Sequence, residues 1–342
     1  MAAKTMRAVR VMAYHAPMEM QDVPTPTVQS PLDVIVKVGA AGVCRTDIHI
    51  CDGEWKEKSN VELPYTIGHE NAGWVHEVGS SVSNVKVGDK VILHPLVTCG
   101  LCTACRFEDS KFPGINVDGG YAEYIRTTAR SVIKLDDKLE PSDVAALADA
   151  GLTAYHVVAK AARILRPGDY CVMIGAGGLG HIGIQCMKAM NAATLIVVDN
   201  NQAALDLASS IGADHTVMAD KDGSFVEKVM KLTQGKGAAS VIDFVAEGGS
   251  TKTGVNMLRR AGSYYVVGYG ENLDIPTIDI ISTEINFVGN LVGSYNDLAE
   301  LMVLAAQGKV KLHTSKYKLA DYERAVQDLR DGKVRGRAIL VP

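Results

Sequence analysis

From about residue 160 the chain alternates short apolar runs with amphipathic stretches, a rhythm that few folds satisfy. Residues 170–176 (YCVMIGA) predict a buried strand and 179–191 (LGHIGIQCMKAMN) a helix. The pattern repeats as strand 194–199 (TLIVVD), helix 201–213 (NQAALDLASSIGA), strand 215–218 (HTVM) and helix 225–234 (FVEKVMKLTQ). It closes with strand 240–245 (SVIDFV), helix 251–260 (TKTGVNMLRR) and strand 263–269 (SYYVVGY). Such alternation predicts parallel βαβ units with right-handed crossovers, a doubly wound sheet.

Between the first strand and its helix lies Gly175-Ala-Gly177-Gly178-Leu179-Gly180, which fits G-x-G-x-x-G. The pattern alone is weak, but between an apolar strand and an amphipathic helix it predicts a dinucleotide site. Glycines let backbone amides approach a pyrophosphate, and the helix N-terminus adds a favourable dipole. The next strand ends in Asp199, 19 residues after Gly180, where an acid can bind ribose hydroxyls. Asn200, Asn201 and Gln202 follow, with no Arg or Lys to neutralise a 2′-phosphate, so NAD is favoured over NADP. An ordinary βα turn whose Asp merely caps the next helix is the competing reading.

The first 150 residues have a different texture. Short β-branched runs such as DVIVKV, NAGWVHEV and DKVILHPLV alternate with Gly, Pro and Asp turn signals. The last stretch is helical at 297–308 (DLAELMVLAAQG) and 322–332 (YERAVQDLRDG), ends in strand 337–342 and need not belong to the nucleotide domain. At 342 residues, two domains are more natural than one. The net charge of −4, without a basic block, argues against nucleic acid or an anionic membrane surface as partner. No apolar run is long enough to span a bilayer, and the N-terminal residues lack the apolar core of a secretory signal. A cytoplasmic location is the expectation.

Three segments carry candidate chemistry: Gly42-Val-Cys44-Arg45-Thr46-Asp47-Ile48-His49, Gly68-His69-Glu70, and Asp149-Ala-Gly151-Leu-Thr153-Ala-Tyr155. Singly, each has a plain reading: Cys44 as a small buried thiol, His69-Glu70 as a satisfied core pair, Asp149 as a helix cap. Together with Asn71-Ala-Gly73, Val87-Gly-Asp89, Gly119-Gly120-Tyr-Ala-Glu-Tyr124, the cysteine cluster at 99–105 and the later fingerprint, they resemble the zinc-containing medium-chain alcohol dehydrogenase family. The resemblance covers essentially the whole chain.

That resemblance implies a β-rich GroES-like catalytic domain plus a Rossmann domain, with boundaries expected at 1–155, 156–295 and a catalytic return segment 296–342. It implies a catalytic zinc on Cys44, His69 and a third residue that is a cysteine in most relatives and here falls on Asp149. Asp, like a thiolate, brings one negative charge and is an accepted zinc ligand. Glu70 is expected behind the metal, exchanging with water. The implied reaction interconverts alcohols with aldehydes or ketones by hydride transfer to or from NAD. Thr46 and His49 match the family's proton relay, linked through the cofactor ribose, and imidazole exchanges protons near neutral pH. Arg45 and Arg337 match positions that contact the pyrophosphate, while Thr153, Val245, Val267 and Gly268 match those packing the nicotinamide.

Cys99-x2-Cys102-x2-Cys105 resembles the family's four-cysteine structural zinc lobe, but the fourth position is Pro113, which cannot ligate. Three readings stay open: a shortened zinc-free lobe, completion by Glu108 or Asp109, or residues missing from the sequence. Trp55 is expected to line the substrate pocket and Tyr295 to close it from the other side or from a neighbouring subunit. The strand-rich stretch 279–292 is where relatives form subunit contacts, so a homodimer or homotetramer is expected. A zinc-free quinone or enoyl reductase and a polyol or diol dehydrogenase are the competing activities; a non-catalytic protein on the same fold is a third.

Overall fold

The computed structural model describes residues 4–59, 61–98 and 111–342. Two compact units emerge, one from Met1–Ala150, Ser294–Ala306 and Leu312–Pro342, the other from Gly151–Gly293 and Gln307–Lys311.

The second unit is built on a six-stranded parallel sheet. Its order is His215–Met218, Thr194–Asp199, Tyr170–Ile174, Ala238–Asp243, Leu258–Val266 and Asn286–Gly289. Inner strands of such a sheet are covered on both faces and are mostly apolar, and every residue of Ala238–Asp243 is buried, Ser240 and Asp243 included. The reversal of strand order beside Tyr170–Ile174 puts the glycine-rich turn at the carboxyl end of the sheet, where such folds bind ligands.

Two segments differ from expectation. The helix expected over 251–260 stops at Asn256, and Leu258 already pairs with Ala238 in the sheet. Ladder pairing of Leu258–Val266 overrides the helical pattern there. The stretch 279–292 is not all strand: Thr277–Thr283 is helical, ended by Glu284 in the left-handed region (φ 54°), and only Asn286–Gly289 joins the sheet, as its edge.

The first unit centres on the long strand Asp33–Val43. It pairs antiparallel with Glu70–Val78, Arg337–Val341 and Tyr124–Thr128, and Lys90–Leu93 and Val132–Lys134 extend the sheet. A smaller sheet joins Glu19–Pro24, Thr5–Val11 and Tyr65–Thr66. The core gathers Val34, Val36, Ile67, Val91, Tyr121 and Leu340. Among the described residues, no helix is long and apolar enough to cross a membrane.

Register is what assembles the site. Gly42 lies opposite Glu70 on one side and Ile339 on the other, so the ends of three strands bring Cys44, Glu70 and Arg337 to one place. Only glycine fits at 42, because a Cβ there would stand 1.8 Å from Glu70 Oε2.

Candidate active site

Cys44 follows the central strand and caps the helix Arg45–Cys51. Its main-chain N–H donates to Asp47 Oδ2 at 2.9 Å, which ties the strand end to the first helical turn. His69 follows Gly68, whose φ of +102° and contact with the Tyr121 ring exclude any side chain. Asp149 precedes the helix Ala150–Ala162. Cys44, His69, Glu70 and Asp149 each offer a ligand atom, and these atoms all lie within 4.8 Å of one another.

The His69 ring is buried and oriented. Nδ1 lies 3.1 Å from Asp47 Oδ1, and Asp47 in turn accepts the Tyr121 hydroxyl at 2.7 Å. With the Nδ1 proton aimed at Asp47, Nε2 presents a lone pair. That nitrogen is buried without a hydrogen bond, and Asp149 Oδ2 is 3.3 Å away. Acceptors facing one another in a dry site need a proton or a cation between them. Burial disfavours the His69 imidazolium, but Asp47, Asp149 and Cys44 more than reverse this and hold its pKa well above the ordinary value. An imidazole, a thiol and a carboxylate are a donor set that suits zinc.

Glu70 sits behind these donors and is fully buried. It is held by the Arg337 guanidinium and by the Ala150 N–H at 3.1 Å. Burial pushes the Glu70 carboxyl pKa up, although Arg337 opposes it. Arg337, expected at a pyrophosphate, is thus 4% exposed and paired with Glu70. Phe112 stands edge-on to the His69 ring, with centroids 5.9 Å apart. Thr46 Oγ1 lies 3.6 Å from Cys44 Sγ, and His49 Nδ1 lies 2.9 Å from Glu54 Oε2. Arg45 is exposed. Trp55 packs half-buried against the core of this unit. Tyr295 donates to the Val132 carbonyl at 3.1 Å and lines an open groove of about 460 Å³ with Ser81, Asn84, Thr98 and Arg130. Cys99, Cys102 and Cys105, with Glu108 and Asp109, lie outside the described residues.

In the nucleotide unit, Gly175 has φ +92°, and a Cβ on Gly180 would stand 1.8 Å from the Gly175 carbonyl oxygen. A Cβ on Gly177, by contrast, would meet nothing within 4 Å, and this glycine is exposed. Gly178 and Leu179 complete the turn before the helix Gly180–Met190. Asp199 braces it, accepting the Ala176 N–H at 2.7 Å and the Asn201 N–H at 2.8 Å. Val245 sits beside Gly175, and its carbonyl is so close to Gly268 that a Cβ there would approach within 2.3 Å. Val267 and Thr153 are half-buried.

Sequence reading missed two features. Asp47 stood inside a quoted motif without a role, although a carboxylate behind a ligating histidine is the expected companion of a metal site. The Glu70–Arg337 pair spans the chain, and no local pattern could announce it.

Comparison with known proteins supplies the context. Residues 30–137 match the alcohol dehydrogenase GroES-like domain family, and residues 178–307 the zinc-binding dehydrogenase family. The NAD-dependent alcohol dehydrogenase of Sulfurisphaera tokodaii is 36% identical, over 98% of this chain and all of that protein. The crystal structure of the alcohol dehydrogenase from Aeropyrum pernix superposes with a TM-score of 0.93 at 45% identity, covering 98% of this chain and 100% of that one. A D-arabinose 1-dehydrogenase (NADP(+)) of Saccharolobus solfataricus is 33% identical, over 98% of this chain and 97% of that protein.

Proposed function

This chain belongs to the zinc-dependent medium-chain alcohol dehydrogenase family, and we propose that it oxidises small or medium alcohols with Cys44, His69 and Asp149 as the zinc ligands and with Thr46 and His49 carrying the proton. The NAD-dependent alcohol dehydrogenases among its full-length relatives support an NAD-linked interconversion of alcohols with aldehydes or ketones. When bound, zinc supplies Lewis acidity at the substrate oxygen and NAD accepts or returns the hydride. The observation that carries the ligand assignment is the convergence of the Cys44, His69, Glu70 and Asp149 donor atoms within 4.8 Å of one another, with the buried His69 Nε2 facing the Asp149 carboxylate.

The residues then divide the work. With zinc bound, Cys44 and Asp149 would each contribute one negative charge and together would balance the divalent ion, as two thiolates would. Asp47 holds the His69 ring, while the Arg337–Glu70 pair keeps a second carboxylate close behind the donors. Thr46 Oγ1, beside Cys44, accepts the alcohol proton as it passes on its own. His49 stands on the same short helix three residues later, and Glu54 Oε2 faces its Nδ1 on a partly exposed surface. Asp199 supports NAD over NADP, since its charge would repel a 2′-phosphate. Trp55 and Tyr295 remain the proposed pocket residues. A homodimer or homotetramer is supported by the edge strand Asn286–Gly289 beside exposed Leu291, and by the helix Thr277–Thr283, which buries none of its residues.

The test is NAD reduction against a panel of primary, secondary and polyhydric alcohols, with metal content measured before and after chelation. Activity lost with zinc and restored by it is the expected result. Activity that survives complete zinc removal would refute the mechanism and favour a zinc-free reductase.

A further inference from the structure

We propose that Asp243 is the positioning residue for the nicotinamide end of the nucleotide site, a proposal that rests on the roles assigned above to Val245, Val267 and Gly268. Asp243 closes the central strand of the nucleotide unit and is 0% exposed. A buried carboxylate is costly unless its acceptor positions are filled. Here Oδ1 accepts the N–H groups of Val245 (2.8 Å) and Ala246 (3.0 Å), and Oδ2 accepts the hydroxyls of Ser250 (2.7 Å) and Tyr264 (2.5 Å). Its main-chain carbonyl accepts Val267 N–H and Gly268 N–H, both at 3.0 Å.

The two segments expected to meet the nicotinamide therefore hang on one residue. They also close on each other, since no side chain fits between Gly268 and the Val245 carbonyl. Ala246 sits in the left-handed region at φ 49°, a conformation that a non-glycine residue keeps only when its surroundings hold it, and the bond from its N–H to Asp243 does so. Tyr264 is a dependable donor in this arrangement. Burial, reinforced by Asp243, pushes its pKa up and keeps the hydroxyl protonated. Val245 also packs beside Gly175, but the hydrogen bonds that hold the pyrophosphate turn do not involve Asp243: Gly175 N–H donates to the Val198 carbonyl, and Ala176 N–H to Asp199. Loosening Asp243 should therefore disturb one end of the cofactor and spare the other.

Two ligands separate the ends. NADH carries a nicotinamide; ADP-ribose carries the adenosine, the pyrophosphate and a ribose but no nicotinamide. Binding of each to the zinc-loaded, full-length protein would be measured by calorimetry, alongside the KM for NAD and kcat. In Asp243→Asn, NADH should bind about tenfold more weakly, the loss expected for weakening buried charge-assisted hydrogen bonds, while ADP-ribose affinity stays within about twofold. The double variant Ser250→Ala/Tyr264→Phe keeps the carboxylate and its bonds to the Val245 and Ala246 amides but removes both bracing hydroxyls. It should show the same selective loss, smaller in size, and decides the matter if Asp243→Asn does not fold. Equal losses for both ligands, or no loss for either, would overturn the positioning role. Failure of the unaltered protein to bind ADP-ribose would instead strike at the nucleotide site itself, and the proposal would fall with it.

Discussion

Asp47 Oδ1 lies 3.1 Å from His69 Nδ1, and both side chains are almost completely buried. The contact decides which nitrogen of His69 is available as a ligand. Because Asp47 also accepts the Cys44 N–H and the Tyr121 hydroxyl, it joins two proposed ligands that lie 25 positions apart in the chain (69 − 44).

Replacing Asp47 should therefore act on the metal before it acts on the substrate. Asp47→Asn is expected to weaken zinc binding by roughly 10–100-fold, the range typical for losing a carboxylate behind a ligating histidine. Competition against a chromogenic chelator measures this directly. Zinc affinity unchanged in Asp47→Asn would mean that the His69 ring is held by other means.

In the proposed ligand set, Asp149 stands where the resemblance expects a third cysteine. Asp149→Ala should lose zinc on dialysis and lose activity in proportion, while NADH binding to the nucleotide unit persists. Asp149→Cys should recover both zinc and a substantial part of the activity, because it restores one anionic donor. Full activity in Asp149→Ala would remove this residue from the metal site.

The pH dependence of stability should separate loaded from stripped protein. Without metal, the raised His69 pKa means that its imidazolium stabilises the fold below about pH 6.5, the ordinary histidine value, and that this contribution disappears as pH rises through the higher folded value. Zinc needs the deprotonated nitrogen, so its affinity moves the opposite way and grows with pH. The Tm difference between zinc-loaded and zinc-stripped protein should widen between about pH 6 and pH 8. A difference that shrinks over that range would contradict the assignment of His69.

The relay predicts a loss confined to turnover. His49→Gln should lower kcat for alcohol oxidation by roughly 10²-fold or less, at the lower end of what a positioned acid–base group contributes, with zinc content and NADH affinity unchanged. Added imidazole should restore part of the rate. If kcat stays at the unaltered value, the alcohol proton leaves by another path and the pairing of His49 with Glu54 is only a surface contact.

Much of this architecture was legible from local pattern. Strand–helix alternation after residue 160 marked the parallel sheet, because buried parallel strands must be apolar on both faces. The spacing of Gly175, Gly177 and Gly180 marked the turn; Gly175 takes φ +92° and Gly180 has no room for a Cβ, while Gly177 stands in open space. The pattern was weaker where pairing competes with propensity. Helical periodicity carried past Asn256, but the sheet claims Leu258. Likewise 279–292 read as strand-rich, although its first part forms a helix.

The candidate metal residues were nameable from sequence because three short motifs carry the right donor types. Nothing in those motifs says that Asp47 orients His69, that Arg337 pairs with Glu70 across 267 positions, or that the Asp243 carboxylate reaches Tyr264. Residue types and short spacings are local properties, and the sequence by itself determined those: an imidazole, a thiol and a carboxylate for the metal, and a glycine turn for the nucleotide. Which atoms face one another in a dry interior depends on strand register, as in the pairing of Gly42 with Glu70 and Ile339. Burial then makes each unmatched charge costly enough to require its partner, and only the tertiary structure decided what that partner was.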